Sequence, residues 1–275
     1  MKKNTDNVYF ETGYQGCNTG FVITSEGIVM IDSPMGIDDN DEHIKVIRQH
    51  GNAVYLINTE PHIDHIAGNA FYKAVGVAQE GTREEMKKQT TEQFHQMLGF
   101  IQPESKPRIN EYELCLPSIT FGKSMKLYLG NHTFELFHLP GHSPSQTAVY
   151  IPQEKVVFTG DNIFYQTKTF LHSCLAKEWL ASLRFLKQLD ATVFFPGHGE
   201  ECPKAYLDEQ ESIIQKWIET VQDVVKQGWT LEQAQEKIID PDPYPMEEST
   251  QKGLGPELNK MNITRLYTLA RENRL

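Results

Sequence analysis

Short apolar runs separated by polar turns fill the chain up to about residue 202, and helical periodicity takes over beyond it. Positions 8–10, 19–24 and 27–31 are rich in β-branched and aromatic residues and read as strands, the last two joined by the turn Ser25-Glu26-Gly27. Asp32-Ser33-Pro34 reads as a strand stop and loop. Asp38-Asp39-Asn40-Asp41 supplies N-cap candidates and a negative first turn for a helix through residue 48, which Gly51-Asn52 ends. Residues 54–57 are a short apolar run of the kind found in buried parallel strands, and 74–78 is the next strand. A polar helix is expected over 82–98. It is followed by a Pro-punctuated irregular stretch over 102–113, and 82–113 together have the length of a lid. Residues 125–129 and 133–139 flank Gly130-Asn131, a hairpin signal; 147–151 and 156–159 form a second hairpin around Pro152-Gln153-Glu154. Over 175–189, Trp179, Leu180, Leu183, Leu186 and Leu189 share one helical face, and 193–195 is a buried strand. Helices are expected over 203–226, 231–239 and 259–272, with a Pro/Gly-rich loop over 240–255. The pattern is that of an α/β fold in one domain, 1–275, with a core over 1–202 and a C-terminal helical extension over 203–275.

The polar residues at the ends of these strands are unusual. Thr59-Glu60-Pro61-His62-Ile63-Asp64-His65 follows the 54–57 strand, where open α/β sheets place their sites. In an extended segment Glu60, His62 and Asp64 point to one side, and His65 turns back toward them where a helix begins. Polar groups converging in this way repel or stay unsatisfied unless a cation lies among them. His142 sits in Pro140-Gly141-His142-Ser143-Pro144, Asp161 in Gly160-Asp161-Asn162 and His198 in Pro196-Gly197-His198-Gly199; each follows an apolar strand and adjoins a glycine. His43, His50 and His95 read as ordinary helix residues, and His138 as a support for His142.

Composition narrows the partners. With 26 basic and 37 acidic residues the net charge is −11, which repels phosphate backbones and makes nucleic acid an unexpected partner. No stretch approaches the roughly 20 apolar residues of a membrane span. MKKNTDNVYF lacks the apolar run of a signal peptide. Cys17, Cys115, Cys174 and Cys202 are scattered without a CxxC pair, as expected of free thiols in a cytoplasmic protein. A homodimer is compatible with all of this.

TEPHIDHIAGN, LPGHSP, FTGDNIF and FPGHG, in that order, resemble the metallo-β-lactamase superfamily, whose pattern is His-x-His-x-Asp-His followed by a distant His, an Asp and a last His. The resemblance implies a four-layered αββα sandwich with two divalent metal ions in the cleft between its sheets. Glu60, His62 and His142 would hold the first metal, Asp64, His65 and His198 the second, and Asp161 would bridge them. The C-terminal helices and Asn-Ile-Thr-Arg-Leu-Tyr near the end resemble hydrolase branches of the family.

Glu60 stands where the family has its first histidine. An anionic oxygen ligand hardens the site and moves its preference from zinc, the expected ion, toward iron or manganese. Two histidines and a carboxylate form an open catalytic zinc set, and equally the facial triad of non-haem iron. The expected function is therefore a metallo-hydrolase in which a shared metal-bound hydroxide attacks a small organic ester, lactone, thioester or amide, a β-lactam included. The alternative is a di-iron or mononuclear iron redox enzyme on the same fold. Asp64 would orient the nucleophile or carry a proton. His172, Phe94, Phe164 and Tyr165, with Phe100 and Tyr112, are the candidates for contacts to a small-molecule substrate.

Overall fold

Alternation along the strands assigns each apolar side chain to one of two cores. The computed structural model describes residues 1–246 and 248–275 and, over 248–256, the backbone alone. One sheet holds β1 (Lys2–Lys3), β2 (Val8–Glu11), β3 (Thr19–Thr24), β4 (Gly27–Ile31), β5 (Ala53–Asn58), β6 (Val75–Gln79) and β7 (Ile119–Phe121) in sequential order. Its β4, β5, β6 and β7 run parallel, and the others are antiparallel. The second sheet holds β8 (Ser124–Leu129), β9 (His132–His138), β10 (Thr147–Ile151), β11 (Val156–Tyr165), β12 (Val193–Gly199) and β13 (Cys202–Pro203), again in order, with β11 and β12 parallel.

Side chains on successive strand positions face opposite ways. Val22, Val29, Ile31 and Ile57 meet Phe134, Leu136, Val149, Phe158 and Phe195 between the sheets. Their neighbours Phe21, Ile28, Met30 and Leu56 point outward and pack with Ile47 of α1 (Ile37–His50). On the far side Val157 and Phe194 pack under α5 (Ala176–Leu186) and α6 (Tyr206–Lys226), through Trp179, Leu183, Ile214 and Trp217. The layers are thus helix, sheet, sheet, helix. Short helices α2 (Ile63–Ile66), α3 (Glu80–Met86), α4 (Thr91–Ile101) and α7 (Leu231–Lys237) complete the set with α8 (Glu248–Arg271), whose Ile263, Leu266 and Leu269 join the outer core. Among the described residues no helix is long and apolar enough to cross a membrane.

Several boundaries differ from the sequence expectation. The single helix expected over 82–98 is two helices, because Thr90 and Gln93 form a capping box that starts α4 afresh. The N-cap of α1 is Gly36 rather than a residue of the acidic run. Asp38 and Asp39 lie in its first turn, where they complement the helix dipole. The loop expected over 240–255 is shorter, since α8 begins at Glu248; Glu247 lies outside the described residues.

His43 is wholly buried on α1, with Nδ1 2.9 Å from the Tyr72 hydroxyl. Burial pulls its pKa from 6.5 down to about 4. The fold therefore favours the neutral imidazole. That contribution is complete above the ordinary histidine value and is lost as pH falls through 6.5 toward 4. Between about pH 7 and about pH 5 the protonation of His43 should remove about 2 kcal/mol of stability. Urea unfolding of the His43→Gln variant at the two pH values should show a drop smaller than that of the parent protein by this amount.

Candidate metal centre

The ends of neighbouring strands deliver the polar residues to one place. Past β5 the chain bends at Thr59 and enters α2 directly after His62, whose backbone is extended (φ −63°, ψ 148°). The alternation expected for Glu60, His62 and Asp64 therefore stops at His62. Asp64 and His65 leave from a helical turn and reach the other side of the site. His142 lies in the β9–β10 connection, Asp161 in β11 and His198 in β12. The β11–β12 register shifts on either side of Gly160, whose φ of +51° lets the strand kink and turn Asp161 inward. A methyl group at Gly197 would collide with the Asp161 carboxylate, so that glycine leaves the acid its room.

Two groups of side chains result. Glu60, His62, His142 and Asp161 have ligand atoms mutually within 4.8 Å, and so do Asp64, His65 and His198. Asp161 lies between them. Its Oδ1 is 3.2 Å from His65 Nε2, and its Oδ2 is 3.5 Å from His198 Nε2 and 3.6 Å from His142 Nε2. His62 Nδ1 is 2.6 Å from Glu60 Oε2 and 3.1 Å from His142 Nε2, while Asp64 Oδ2 is 3.5 Å from His198 Nε2. All seven candidates named from the sequence are brought together.

Outer partners fix which ring nitrogen faces inward. His142 Nδ1 donates to the Phe170 carbonyl at 2.6 Å, so its Nε2 lone pair points into the site. His65 Nδ1 donates to Asp32 Oδ2 at 2.9 Å. Asp32 also accepts from Thr59 N at 2.8 Å and Thr59 Oγ1 at 2.6 Å. His62 Nε2 faces Ser173 Oγ at 3.4 Å, and that hydroxyl donates to the His142 carbonyl at 2.9 Å. Asn162 accepts from His142 N and donates to the Leu139 carbonyl, and His138 Nε2 donates to the Pro144 carbonyl at 2.8 Å, so both ends of the His142 loop are tied. With its amide nitrogen turned to the acid, Gln146 donates to Glu60 Oε1 at 3.0 Å and accepts from Asp161 N at 3.2 Å.

After these bonds are made, Glu60 Oε2, His65 Nε2 and Asp161 Oδ1 remain buried without a hydrogen-bond partner. Two of these are carboxylate oxygens and the third is an imidazole lone pair, so all three have electron pairs to give and no donor to receive them. Cations suit such a set, and the oxygen and nitrogen donors suit a divalent ion. Burial pulls His62 down, yet Glu60, Asp64 and Asp161 outweigh it and hold its imidazole above the usual histidine value, whereas burial keeps His142 below it. Burial pushes Asp161 up, but His198 and His65 bring it well below the carboxylate range.

Sequence reasoning missed Asp32, Gln146 and Ser173. The pattern assigns Asp32 only to a strand stop. The available signal was an acid at the carboxyl end of an apolar strand; its left-handed backbone (φ 56°) and the parallel pairing of that strand with β5 show only in the structure. Cys17 lies near Asp32 and His65, but its thiol donates to the Asp64 carbonyl at 3.2 Å, and burial pushes its pKa up to about 12.

The expected substrate contacts fare differently. Phe94 is wholly buried and packs with Met35, Leu98 and Tyr112, so it anchors α4 rather than facing a cleft. Phe164 is buried behind the site and stacks on His198 (5.4 Å between ring centres, 2°) and edge-on to His142, so it positions imidazoles instead of forming a wall. Tyr165 packs against Tyr206 in the outer core. Phe100 is exposed and Tyr112 buried. His172 alone combines both environments. Its ring lies 5.3 Å from His62 and 5.5 Å from His142, and it also lines a cleft of about 570 Å3 with Lys260, Thr264 and Arg265 of α8.

The sequence model of the metallo-beta-lactamase superfamily matches residues 12–198, and the chain belongs to that superfamily. The type 2 metallo-beta-lactamase of Elizabethkingia meningoseptica is 25% identical over 170 residues, 58% of this chain and 60% of that protein, so the chain spans less than two thirds of that relative. Among solved structures, a stereoselective inverting sec-alkylsulfatase from a Pseudomonas sp. superposes with a TM-score of 0.76 at 17% identity, over 97% of this chain and 49% of the other. A metallo-beta-lactamase family protein from Thermus thermophilus gives 0.68 at 14% identity, over 98% of this chain and 95% of the other. At these identities the structural likeness is one of fold.

Asp32→Asn keeps a side chain that tolerates the left-handed backbone but removes the charge holding His65. Chelator competition should then show metal affinity lowered by about tenfold to a hundredfold, with the far-ultraviolet circular dichroism unchanged.

Proposed function

We propose that this chain is a metal-dependent hydrolase acting on a small organic ester, lactone, thioester or amide. Glu60, His62 and His142 would hold one divalent ion, Asp64, His65 and His198 a second, with Asp161 shared between them. The observation that carries this reading is the set of partnerless buried donors, Glu60 Oε2, His65 Nε2 and Asp161 Oδ1, pointing at common ground between the two groups. A bound pair of such ions acidifies water to a nucleophile near neutral pH and offsets negative charge developing on the substrate.

The chain's own residues supply the remainder. Asp64 is the site carboxylate most open to solvent, with 22% of its side chain exposed against 4% for Asp161 and none for Glu60. Burial raises its pKa, but His65 and His198 outweigh it and bring it down to about 2, so Asp64 is the carboxylate placed to accept a hydrogen bond from an incoming water and orient it. The Asp32–His65, Ser173–His62 and Phe170–His142 bonds hold three imidazoles in one tautomer, so no reorganisation is needed during turnover. The cleft beside His172 has the volume of a small-molecule site, and the Lys260–Glu257 ion pair and Arg265 give it a polar lining.

Elemental analysis of the purified protein should find about two divalent ions per chain. A panel of esters, lactones, thioesters, β-lactams and alkyl sulfates assayed with the identified metal should reveal hydrolysis. His62→Ala should lower metal content and abolish turnover together. A coloured, iron-loaded protein that consumes O2 and hydrolyses nothing on the panel would replace this reading with the redox one.

A further inference from the structure

The segment 169–174 is the common support of the imidazoles. The Phe170 carbonyl fixes His142, Ser173 bridges His142 and His62, the His172 ring packs on both, and the Phe170 ring lies 5.9 Å from that of His198. The segment is neither strand nor helix, so its own backbone bonds do not hold it rigid. Its anchors come from beyond residue 203. Asn262 on α8 is wholly buried; its Oδ1 accepts from Leu171 N at 2.7 Å and its Nδ2 donates to the Thr169 carbonyl at 3.1 Å. One side chain thereby brackets Phe170 on both sides. Arg265, one helical turn on, donates through Nε to the Cys174 carbonyl at 2.8 Å. Asp242 accepts from Thr169 N at 2.8 Å, and Gln210 of α6 donates to Thr169 Oγ1 at 3.2 Å.

We infer that the C-terminal helices are a template for the metal centre, with Asn262 as the positioning residue that sets the inward-facing nitrogen and direction of His142 and, through Ser173, of His62. The inference rests on the reading of His62 and His142 as metal ligands. Its physical basis is that a ligand imidazole is only as well oriented as the group bonded to its other nitrogen. Here that group is a carbonyl in a segment without regular structure, and a buried amide with its oxygen and one nitrogen hydrogen both in use allows it a single position. Removing the amide leaves the Leu171 N–H and the Thr169 carbonyl buried without partners, and the segment must shift to satisfy them. The superfamily match ends at residue 198, so this support lies outside the part of the chain that the match covers.

The test compares Asn262→Leu, Asn262→Asp and Arg265→Met with Leu269→Ala, a cavity variant in the same core whose apolar side chain offers the 169–174 segment no hydrogen bond. Chelator competition on the holoprotein should show metal affinity reduced about tenfold in Asn262→Leu, less in Asn262→Asp, which keeps the acceptor for Leu171 N, and unchanged in Leu269→Ala despite a lowered melting temperature. The visible absorption of the Co(II)-loaded protein should change in the Asn262 variants, less in Arg265→Met, and not in Leu269→Ala. If Asn262→Leu does not fold, Arg265→Met carries the comparison and should show the smaller loss. Parent-like affinity and spectrum in the Asn262 and Arg265 variants, or an equal loss in Leu269→Ala, would overturn the inference while leaving the metal centre standing. A His142→Ala protein that binds metal as tightly as the parent would instead remove the metal-centre reading, and this inference with it.

Discussion

Glu60, Asp161 and the inward lone pair of His65 are held together, out of water, with nothing to receive their electron pairs. Burying carboxylates in this way is among the more costly things a fold can do. Much else in the structure follows from keeping them there. Asp32, Gln146, Ser173 and the Phe170 carbonyl occupy other hydrogen-bonding positions of His65, Glu60, His62 and His142. Gly160 and Gly197 give the Asp161 strand its kink and its clearance.

The sandwich makes this tolerable. Two sheets packed face to face through Val22, Val29, Ile57, Phe134, Phe158 and Phe195 form a close-packed platform that deforms little. The charged cluster sits at the ends of its strands rather than in its middle, so the apolar core is not interrupted. Helices on both outer faces bury the alternate side chains of the same strands. The candidate ligands thus inherit the rigidity of the layers, except where they or their supports leave regular structure, at the 59–62 bend, the His142 loop and the 169–174 segment. Those are the places where buried side-chain hydrogen bonds accumulate.

Two parts of the chain with different histories of resemblance meet at the site. The superfamily match runs from residue 12 to 198 and carries every candidate ligand. Asp242, Gln210, Asn262 and Arg265 lie beyond it, yet they hold the segment that orients two of those ligands. The whole-length likeness to the sec-alkylsulfatase includes these helices, whereas the match to the type 2 metallo-beta-lactamase covers 58% of the chain.

Local chemistry made much of this legible without coordinates. Apolar runs with period two, turn residues between them and polar residues at strand ends depend only on neighbours in sequence, so most strands and the seven candidate residues at their ends could be read directly, while the four-layered class came with the family resemblance those residues carry. Thr90 and Gln93 were open to the same reading as a capping box, and the split between α3 and α4 follows from them. Phe94, Phe164 and Tyr165 could not be placed, because an aromatic residue that lines a cleft and one that fills a core look alike until the layer behind it is known. Asp32, Ser173 and Asn262 were hidden for a related reason. Each finds its partner through space, across 33, 111 and 91 residues to His65, His62 and the Leu171 backbone, and no local pattern records such a partnership. Which side chains could bind a cation was written in the residue types; how they are aimed was decided only when distant segments packed together.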